Sequence, residues 1–298
     1  MRAPIKFKSE LLSQPLRKIL PNANDPTPLF ISTLNDDEFS RCVSAICIDG
    51  IWKTTKAKRH LQSNELIRKY IKNHNEMVVL DVGVSDGVTS ISLVDIIGEK
   101  MKRLYVTDLY LSIYVVNKDD RWYIYKSIGG PCVMAIFPYT IFYKSQHGGL
   151  NILKLVVNNF LDRAPMLAGE SASHSVSLLN PRLVELTQRD NKIKCLEWNI
   201  FTPWSGSKVD LVRVANVLNP SYFTKGSLQI ALGNIVAALK MGGALLVVDN
   251  RLQENATLFR NLPDGLVVID RTGQGCDVEY LIGDLFSAST GPRHVESK

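Results

Sequence analysis

The residues of this chain that are best suited to chemistry surround a short glycine-containing turn between Val78 and Ser90. The stretch reads VVLDVGVSDGVTS: an apolar run ends in Asp81, Gly83 follows it closely, and Gly87 opens a helical pattern. Glycine lets the backbone turn tightly and lets a ligand approach, and a helix N-terminus attracts negative or polar groups. The pattern predicts a small-ligand site at the end of a buried strand. The plain alternative is a tight strand–helix turn that binds nothing.

A second acidic residue, Asp108, ends the next apolar segment, RLYVTD, about twenty residues beyond the turn. A carboxylate at that place can accept hydrogen bonds from both hydroxyls of a ribose, as in open α/β nucleotide sites. The glycine spacing differs from the dinucleotide fingerprint, and Asp86 inside the turn would repel a pyrophosphate. No Gly-Lys-Ser/Thr follows the turn either. The pair of features therefore favours a nucleoside ligand over a nicotinamide, flavin or triphosphate.

The elements that must position these residues alternate between strand and helix patterns. Apolar runs that read as strands, separated mostly by helical stretches, are MVVLDV, RLYVTD, KIKCLEW, VDLVRVA, GGALLVVDN, GLVVID and VEYLIGDLF. Such alternation implies a layered α/β fold with parallel pairing. Before it, residues 1–30 are expected to form an irregular arm because of their prolines. We expect helices at residues 35–50 and 54–74. The second of these is basic and continues a basic cluster that begins at Lys53.

One long segment interrupts the alternation. Between Asp108 and Pro181 the chain predicts a β-hairpin, an apolar stretch and an amphipathic helix, too much material for a simple connection. We expect an insertion that could act as a cap, a dimer interface or a membrane-docking patch. The predicted organisation is an N-terminal extension at 1–63, a main domain at 64–290 with an insertion at about 110–178, and a tail at 291–298.

The chain resembles the class I S-adenosylmethionine-dependent methyltransferases over about residues 64–286, apart from the insertion. VLDVGVSDG is similar to their first motif, with Ser85 where many members carry a central glycine, and Asp108 matches their ribose-binding acid. CLEWNIF, VDLVRVANVL and LKMGGALLVVDN are similar to later motifs, with Met241 replacing a common proline. The resemblance implies a Rossmann-like, seven-stranded, mostly parallel sheet with an antiparallel last strand and helices on both faces. It assigns that last strand to a terminal hairpin formed by GLVVID and VEYLIGDLF.

The resemblance also implies the cofactor S-adenosyl-L-methionine and the residues that hold it. These predicted cofactor-binding residues are Asp81, Gly83, Ser85, Gly87, Asp108, Asn199 and Ile200. Asn199 is expected to face the adenine amine, and Ile200 to flank the ring. On the acceptor side the candidates are Asn216, Asn219 and Tyr222, in RVANVLNPSYF. NPSY is similar to the Asn-Pro-Pro-Tyr motif of amino-methylating nucleic-acid enzymes but lies about three residues late, and an ordinary helix-start turn is the favoured alternative.

Composition limits the class of protein but leaves the acceptor open. A net charge of +6 suits an acidic or phosphate-bearing partner without requiring one. Five scattered cysteines without a CxxC pair indicate reduced thiols, and we expect no metal site, no membrane-spanning segment and a cytoplasmic protein. The leading prediction is methyl transfer to a small, hydrophobic acceptor. The alternatives are an RNA or protein methyltransferase that uses the basic N-terminal helix, and a non-catalytic nucleotide-binding module; a homodimer is a further expectation.

Overall fold

The computed structural model describes residues 5–49, 51–55, 59–127, 130–142, 166–167, 174–250 and 253–282. The chain divides into two compact units. Unit 1 comprises Met1–Ala57 and Tyr110–Val184, and unit 2 comprises Lys58–Leu109 and Glu185–Lys298. The predicted N-terminal extension and insertion thus fall largely into one unit. The predicted domain boundaries themselves stay a prediction.

The secondary structure of the described residues consists of short strands and helices. In chain order the strands are β1 (Ile5–Lys8), β2 (Asn22–Ala23), β3 (Cys47–Ile48), β4 (Ile51–Trp52), β5 (Met77–Val82), β6 (Met101–Asp108), β7 (Ser112–Lys118), β8 (Arg121–Tyr125), β9 (Val133–Ile136), β10 (Tyr139–Phe142), β11 (His174–Ser177), β12 (Ile193–Glu197), β13 (Val209–Ala215), β14 (Leu239–Asn250), β15 (Glu254–Leu262) and β16 (Gly265–Thr272). The α-helices are α1 (Gln14–Ile19), α2 (Pro28–Ile31), α3 (Asp36–Ser44), α4 (Leu61–Ile71), α5 (Val88–Ile97), α6 (Pro181–Arg189) and α7 (Lys225–Ala238).

Unit 2 contains a seven-stranded sheet in the order β12-β6-β5-β13-β14-β15-β16. The first five strands of that order pair in parallel, and β15 pairs antiparallel with both of its neighbours. The strand order reverses between β5 and β13, which is where open α/β sheets bind their ligands. The predicted fold class, a Rossmann-like and mostly parallel seven-stranded sheet with an antiparallel end, is confirmed.

Helices cover both faces of this sheet. Leu228, Leu232 and Ile235 of α7 pack in one apolar cluster with strand residues such as Leu80 and Val212. On the opposite face, Ser90 of α5 hydrogen-bonds Asp81 of β5. Strands covered on both sides are apolar along their whole length, and all six residues of β5 are buried. The sequence pattern MVVLDV therefore predicted this strand to the residue.

The terminal hairpin lies earlier in the chain than the sequence predicted. It is formed by β15 and β16, whereas the predicted strand VEYLIGDLF overlaps a short helical segment at 279–282 and residues beyond 282 that lie outside the described part. The strand β15 was missed because its sequence, ENATLFRNL, mixes polar and apolar residues and lacks a clear alternation. The pairing with β14 organises it, since seven consecutive residues of each strand are in register.

Unit 1 has a sheet of its own, in the order β11-β7-β8-β9-β10-β1-β2. The predicted hairpin of the insertion is present as β7 and β8, which turn at Asp119 and Asp120. The N-terminal arm is not irregular throughout, as predicted, because β1 pairs antiparallel with β10. The strand β1 gains its partner from more than a hundred residues away, which local sequence patterns cannot indicate.

The two predicted N-terminal helices are shorter than expected. The first ends at Ser44, and the residues after it form the β3–β4 pair. The second begins at Leu61, so Lys53 and His60 precede the helix, and both side chains are buried. The side chain of Lys53 donates a hydrogen bond to the Tyr110 carbonyl at 2.7 Å. Lys56 and Lys58 lie outside the described residues. No helix among the described residues is long and apolar enough to cross a membrane.

Candidate functional site

The turn between β5 and α5 is built from three residues with left-handed backbone conformations. Gly83, Ser85 and Gly87 have φ angles of 70°, 61° and 76°. Glycine adopts this region freely, whereas a residue with a side chain pays about 1–2 kcal/mol there. Ser85, which stands where the sequence resemblance implies a central glycine, adopts this conformation with a side chain. The Ser85 hydroxyl is buried and has no hydrogen-bond partner among the described residues.

The end of strand β6 holds this turn in place. The backbone N–H groups of Gly83 and Val84 donate to the Thr107 carbonyl at 2.7 and 3.2 Å. The N–H of Ser85 donates to Oδ2 of Asp108 at 2.7 Å. The structure therefore brings together the two features that the sequence linked to a nucleoside, the glycine turn and the acid at the end of the next strand.

Gly83 lies against the side chain of Val217, whereas the sequence suggested a ligand as its neighbour. A Cβ at this position would overlap the side chain of Val217, which follows β13. The sequence interpretation gave a ligand as the reason for glycine. In the structure the need for glycine already follows from the left-handed φ and from the close approach of Val217, across the point where the strand order reverses.

Asp81, a predicted cofactor ligand, lies beneath the turn and is only 1% exposed. Its Oδ1 accepts a hydrogen bond from Nε of Arg213 at 2.8 Å, and its Oδ2 accepts from Nη2 of Arg213 at 2.5 Å and from Oγ of Ser90 at 2.7 Å. These contacts make Asp81 a support of the turn and of α5. Sequence reasoning missed Arg213, although a single arginine inside the apolar strand VDLVRVA was the available signal.

A second set of charges flanks the turn. Asp86 is fully buried, and its Oδ1 accepts from the N–H of Val88 at 3.0 Å, at the start of α5. Burial lowers the pKa of Arg59, and the nearby Asp86 carboxylate partly opposes that change. Burial, followed by the charges of Arg213 and Arg59, lowers the pKa of His60 to about 3, so that His60 is neutral near pH 7.

The end of β12 pairs with the end of β6, where Asp108 lies. The N–H of Trp198 donates to the backbone carbonyl of Asp108 at 2.9 Å. The predicted adenine-side residues, Asn199 and Ile200, follow Trp198 directly in the chain. Asn199 is exposed, and its Oδ1 accepts from the N–H of Phe201 at 3.0 Å. Ile200 is 8% exposed and belongs to the sheet's apolar core. The roles of Asn199 and Ile200 toward an adenine stay predictions.

Asn216, the first acceptor-side candidate, lies just beyond β13 with a φ of 59°. Its N–H donates to the Val248 carbonyl at 2.8 Å, and its side-chain oxygen accepts from the N–H of Asn250 at 2.7 Å. The side chain of Asn250 in turn donates to the Arg59 carbonyl at 2.7 Å. Hydrogen bonds therefore connect Asn216, at the end of β13, through Asn250 to the backbone of Arg59, whose side chain lies near Asp86.

The other two acceptor-side candidates form a turn before α7. The side-chain oxygen of Asn219 accepts from the N–H of Ser221 at 2.8 Å, and its carbonyl accepts from the N–H of Tyr222 at 2.9 Å. The Tyr222 side chain is 37% exposed. Such an arrangement is typical of a turn that leads into a helix, whose N-cap here is Thr224. The motif-like role of NPSY stays a prediction.

Among the residues that the structure describes, no group of three or more His, Cys, Asp or Glu side chains could hold a metal ion. The five cysteines are free thiols. Burial raises the pKa of two of them, Cys132 and Cys276, to about 12. These two thiols are therefore protonated near neutral pH.

Comparison with known proteins gives distant matches to solved structures. No family model and no curated protein matches the chain. The N-methyltransferase NodS from Bradyrhizobium japonicum, in complex with S-adenosylhomocysteine, is 16% identical with a TM-score of 0.35, over 72% of this chain and 67% of that one. The YcgJ protein from Bacillus subtilis is 12% identical with a TM-score of 0.32, over 64% and 51%. The methyltransferase CalH, also with S-adenosylhomocysteine, is 10% identical with a TM-score of 0.33, over 62% and 35%.

The chain thus spans about half of YcgJ and about a third of CalH. The chain is similar to solved methyltransferases, and its own strand order establishes the Rossmann-like fold of unit 2. These likenesses are too distant to argue a function from. The function therefore rests on the geometry of the chain's own residues.

Proposed function

We propose that this chain is an S-adenosyl-L-methionine-dependent methyltransferase that acts by in-line transfer on a small, hydrophobic acceptor. The observation that carries the proposal is the left-handed turn at Gly83, Ser85 and Gly87, joined to Asp108 by the Ser85 N–H. The turn and Asp108 lie at the carboxyl ends of β5 and β6, next to the reversal of strand order, and this placement supports a nucleoside site.

The residues present fit such a cofactor. Asp108 has the position and chemistry to accept hydrogen bonds from ribose hydroxyls, and the buried Ser85 hydroxyl lies in the turn without a partner among the described residues. The negative charge of Asp86 within the turn disfavours a pyrophosphate, a group that a sulfonium nucleoside does not carry. In this proposal Asn199 and Ile200 contact the adenine, and Asp81 acts through the turn that it supports.

Methyl transfer from a sulfonium asks little of the protein beyond alignment and exclusion of water. The bound cofactor supplies an activated methyl group when it is present. The chain's part is to hold the acceptor in line, and Asn216, Asn219 and Tyr222 are the residues proposed for that contact. A general base is needed only where the acceptor is protonated at the working pH.

A thermal-shift titration with S-adenosylhomocysteine tests the proposal, with NAD as the competing ligand. At one hundred times its dissociation constant a ligand adds about 2.7 kcal/mol to the free energy of unfolding. We expect a shift in the wild type that is lost in Asp108→Ala and kept in Asp95→Ala, which removes an exposed acid of α5. No shift with S-adenosylhomocysteine, or a shift with NAD alone, would contradict the assignment.

A further inference from the structure

The side-chain amide of Asn216 has a fixed orientation at the end of β13. The atom of this amide that faces the N–H of Asn250, at 2.7 Å, must be the oxygen, because a backbone N–H can only donate. The usual ambiguity between the oxygen and nitrogen of an asparagine amide is therefore resolved by its partner. The amide nitrogen, Nδ2, lies on the other side.

The Nδ2 group of Asn216 takes no part in the hydrogen bond to Asn250. The Asn216 side chain is half-buried, and within the described part of the chain Nδ2 has no hydrogen-bond partner. It lies at the carboxyl end of a strand beside the reversal of strand order. What Asn216 offers there is a pair of N–H donors.

Asn219 uses its oxygen in the same way. Its Oδ1 accepts from the N–H of Ser221 at 2.8 Å. An amino group that is to be methylated needs partners that accept its own N–H bonds, whereas the group of Asn216 that the contact with Asn250 leaves over is a donor. The arrangement therefore suits an acceptor that has lone pairs to receive a hydrogen bond.

We propose that the methyl acceptor is an oxygen nucleophile, a phenol, enol or carboxylic acid, whose oxygen receives a hydrogen bond from Nδ2 of Asn216. This inference rests on the proposed methyltransferase function and narrows its substrate class. The acceptor oxygen loses its proton to solvent and forms the new O–CH₃ bond with a lone pair. The S–CH₃ bond breaks with its electrons remaining on sulfur, which becomes a neutral thioether.

The donated hydrogen bond contributes in two ways. It fixes one lone pair of the oxygen, so that another can point at the methyl group. It also favours the ionised form of the acceptor, because hydrogen bonds to a charged form lower the pKa of the group. An amine acceptor would gain nothing from a donor at this place.

Phenol and aniline are matched probes, since they differ only in the group that Asn216 would contact. The protein is first saturated with S-adenosylhomocysteine, and the side-chain NH₂ signals of ¹⁵N-labelled protein are followed during titration with each probe. The Asn216 pair is identified by its disappearance in Asn216→Asp. We expect phenol to shift this pair and aniline to leave it in place.

The Asn216→Asp variant replaces the donating NH₂ group by an accepting carboxylate oxygen and keeps the other oxygen for the Asn250 N–H. Aspartate also tolerates a left-handed φ. We expect phenol affinity to fall at least tenfold and S-adenosylhomocysteine affinity to stay within twofold of the wild type. The control is Asn191→Asp, an exposed residue before the amino end of β12, for which neither affinity should change.

A shift of the Asn216 pair by aniline and not by phenol would overturn the inference, as would phenol affinity unchanged in Asn216→Asp. Failure of S-adenosylhomocysteine to bind the wild type would instead count against the proposed function, because that step precedes the addition of either probe. With tritiated cofactor and both probes, label recovered in anisole supports the inference. Label recovered in N-methylaniline overturns it.

Discussion

Arg213 and Asp81 form a two-bond ion pair across the neighbouring strands β13 and β5, with hydrogen bonds of 2.8 and 2.5 Å. Both side chains are almost completely buried, at 1% and 2% exposed. Asp81 lies two residues before Gly83, and it accepts a hydrogen bond from the hydroxyl of Ser90 in α5. The shape of the candidate site therefore depends on a charge pair that a ligand does not have to contact.

Removing one partner of this pair should destabilise unit 2 strongly. Asp81→Asn or Arg213→Met leaves the other side chain buried without the opposite charge that it pairs with. We therefore expect a loss of about 3–5 kcal/mol in the free energy of unfolding. Urea denaturation measures it. The double variant Asp81→Leu/Arg213→Met should lose less than the sum of the single losses. Lys69→Met, at an exposed ion pair with Asp270, should cost at most about 1 kcal/mol. Equal effects at both pairs would contradict the prediction.

Alanine at Gly83 should be costly for two separable reasons. The left-handed φ costs about 1–2 kcal/mol, and the clash with Val217 adds about 1–3 kcal/mol. In a Val217→Ala background the clash is removed, so the penalty of Gly83→Ala should fall by that second amount in urea denaturation. Gly226→Ala, in α7 with open space around it, should be neutral or stabilising. A penalty that is independent of residue 217 would show that the packing is not the reason for glycine.

Stability should depend on pH through His60. Its pKa is lowered from 6.5 to about 3, mainly by burial and then by Arg213 and Arg59. The folded state therefore binds fewer protons than the unfolded state between these values, and stability is full above pH 6.5 and falls as the pH drops toward 3. From pH 7 to pH 5 the loss from this group should be about 2 kcal/mol. His60→Leu should have a correspondingly shallower pH dependence of unfolding in urea, and parallel profiles for the two proteins would argue against the buried neutral histidine.

Much of the fold was predictable because its signals are local. The strands MVVLDV and VDLVRVA are largely apolar segments, and the structure begins and ends them at the predicted residues. The strand β15 carries Glu254, Asn255, Arg260 and Asn261, and only its pairing with β14 and β16 makes it a strand. The pairing of β1 with β10 joins segments far apart in sequence, and no local pattern contains that information.

The candidate site was predictable in its residue types and less so in its contacts. Motif spacing correctly brought the glycine turn and Asp108 together. It could not show that the side-chain oxygen of Asn216 is held by a backbone N–H of Asn250, because a backbone partner leaves no mark in the sequence. Arg213 was visible in the sequence as an arginine within a largely apolar strand, and a buried charge requires a partner. The sequence does not identify that partner.

The measurement that most directly tests the central claim is calorimetric titration of the wild type, Asp108→Ala and Asp95→Ala with S-adenosylhomocysteine. We expect one binding site per chain in the wild type and in Asp95→Ala. Binding should be at least tenfold weaker in Asp108→Ala, because the variant removes the carboxylate that lies beside the glycine turn. Circular dichroism of each variant confirms that it is folded. Equal affinity in the wild type and a folded Asp108→Ala, or no heat with any of the three proteins, would contradict the cofactor site described at the ends of β5 and β6.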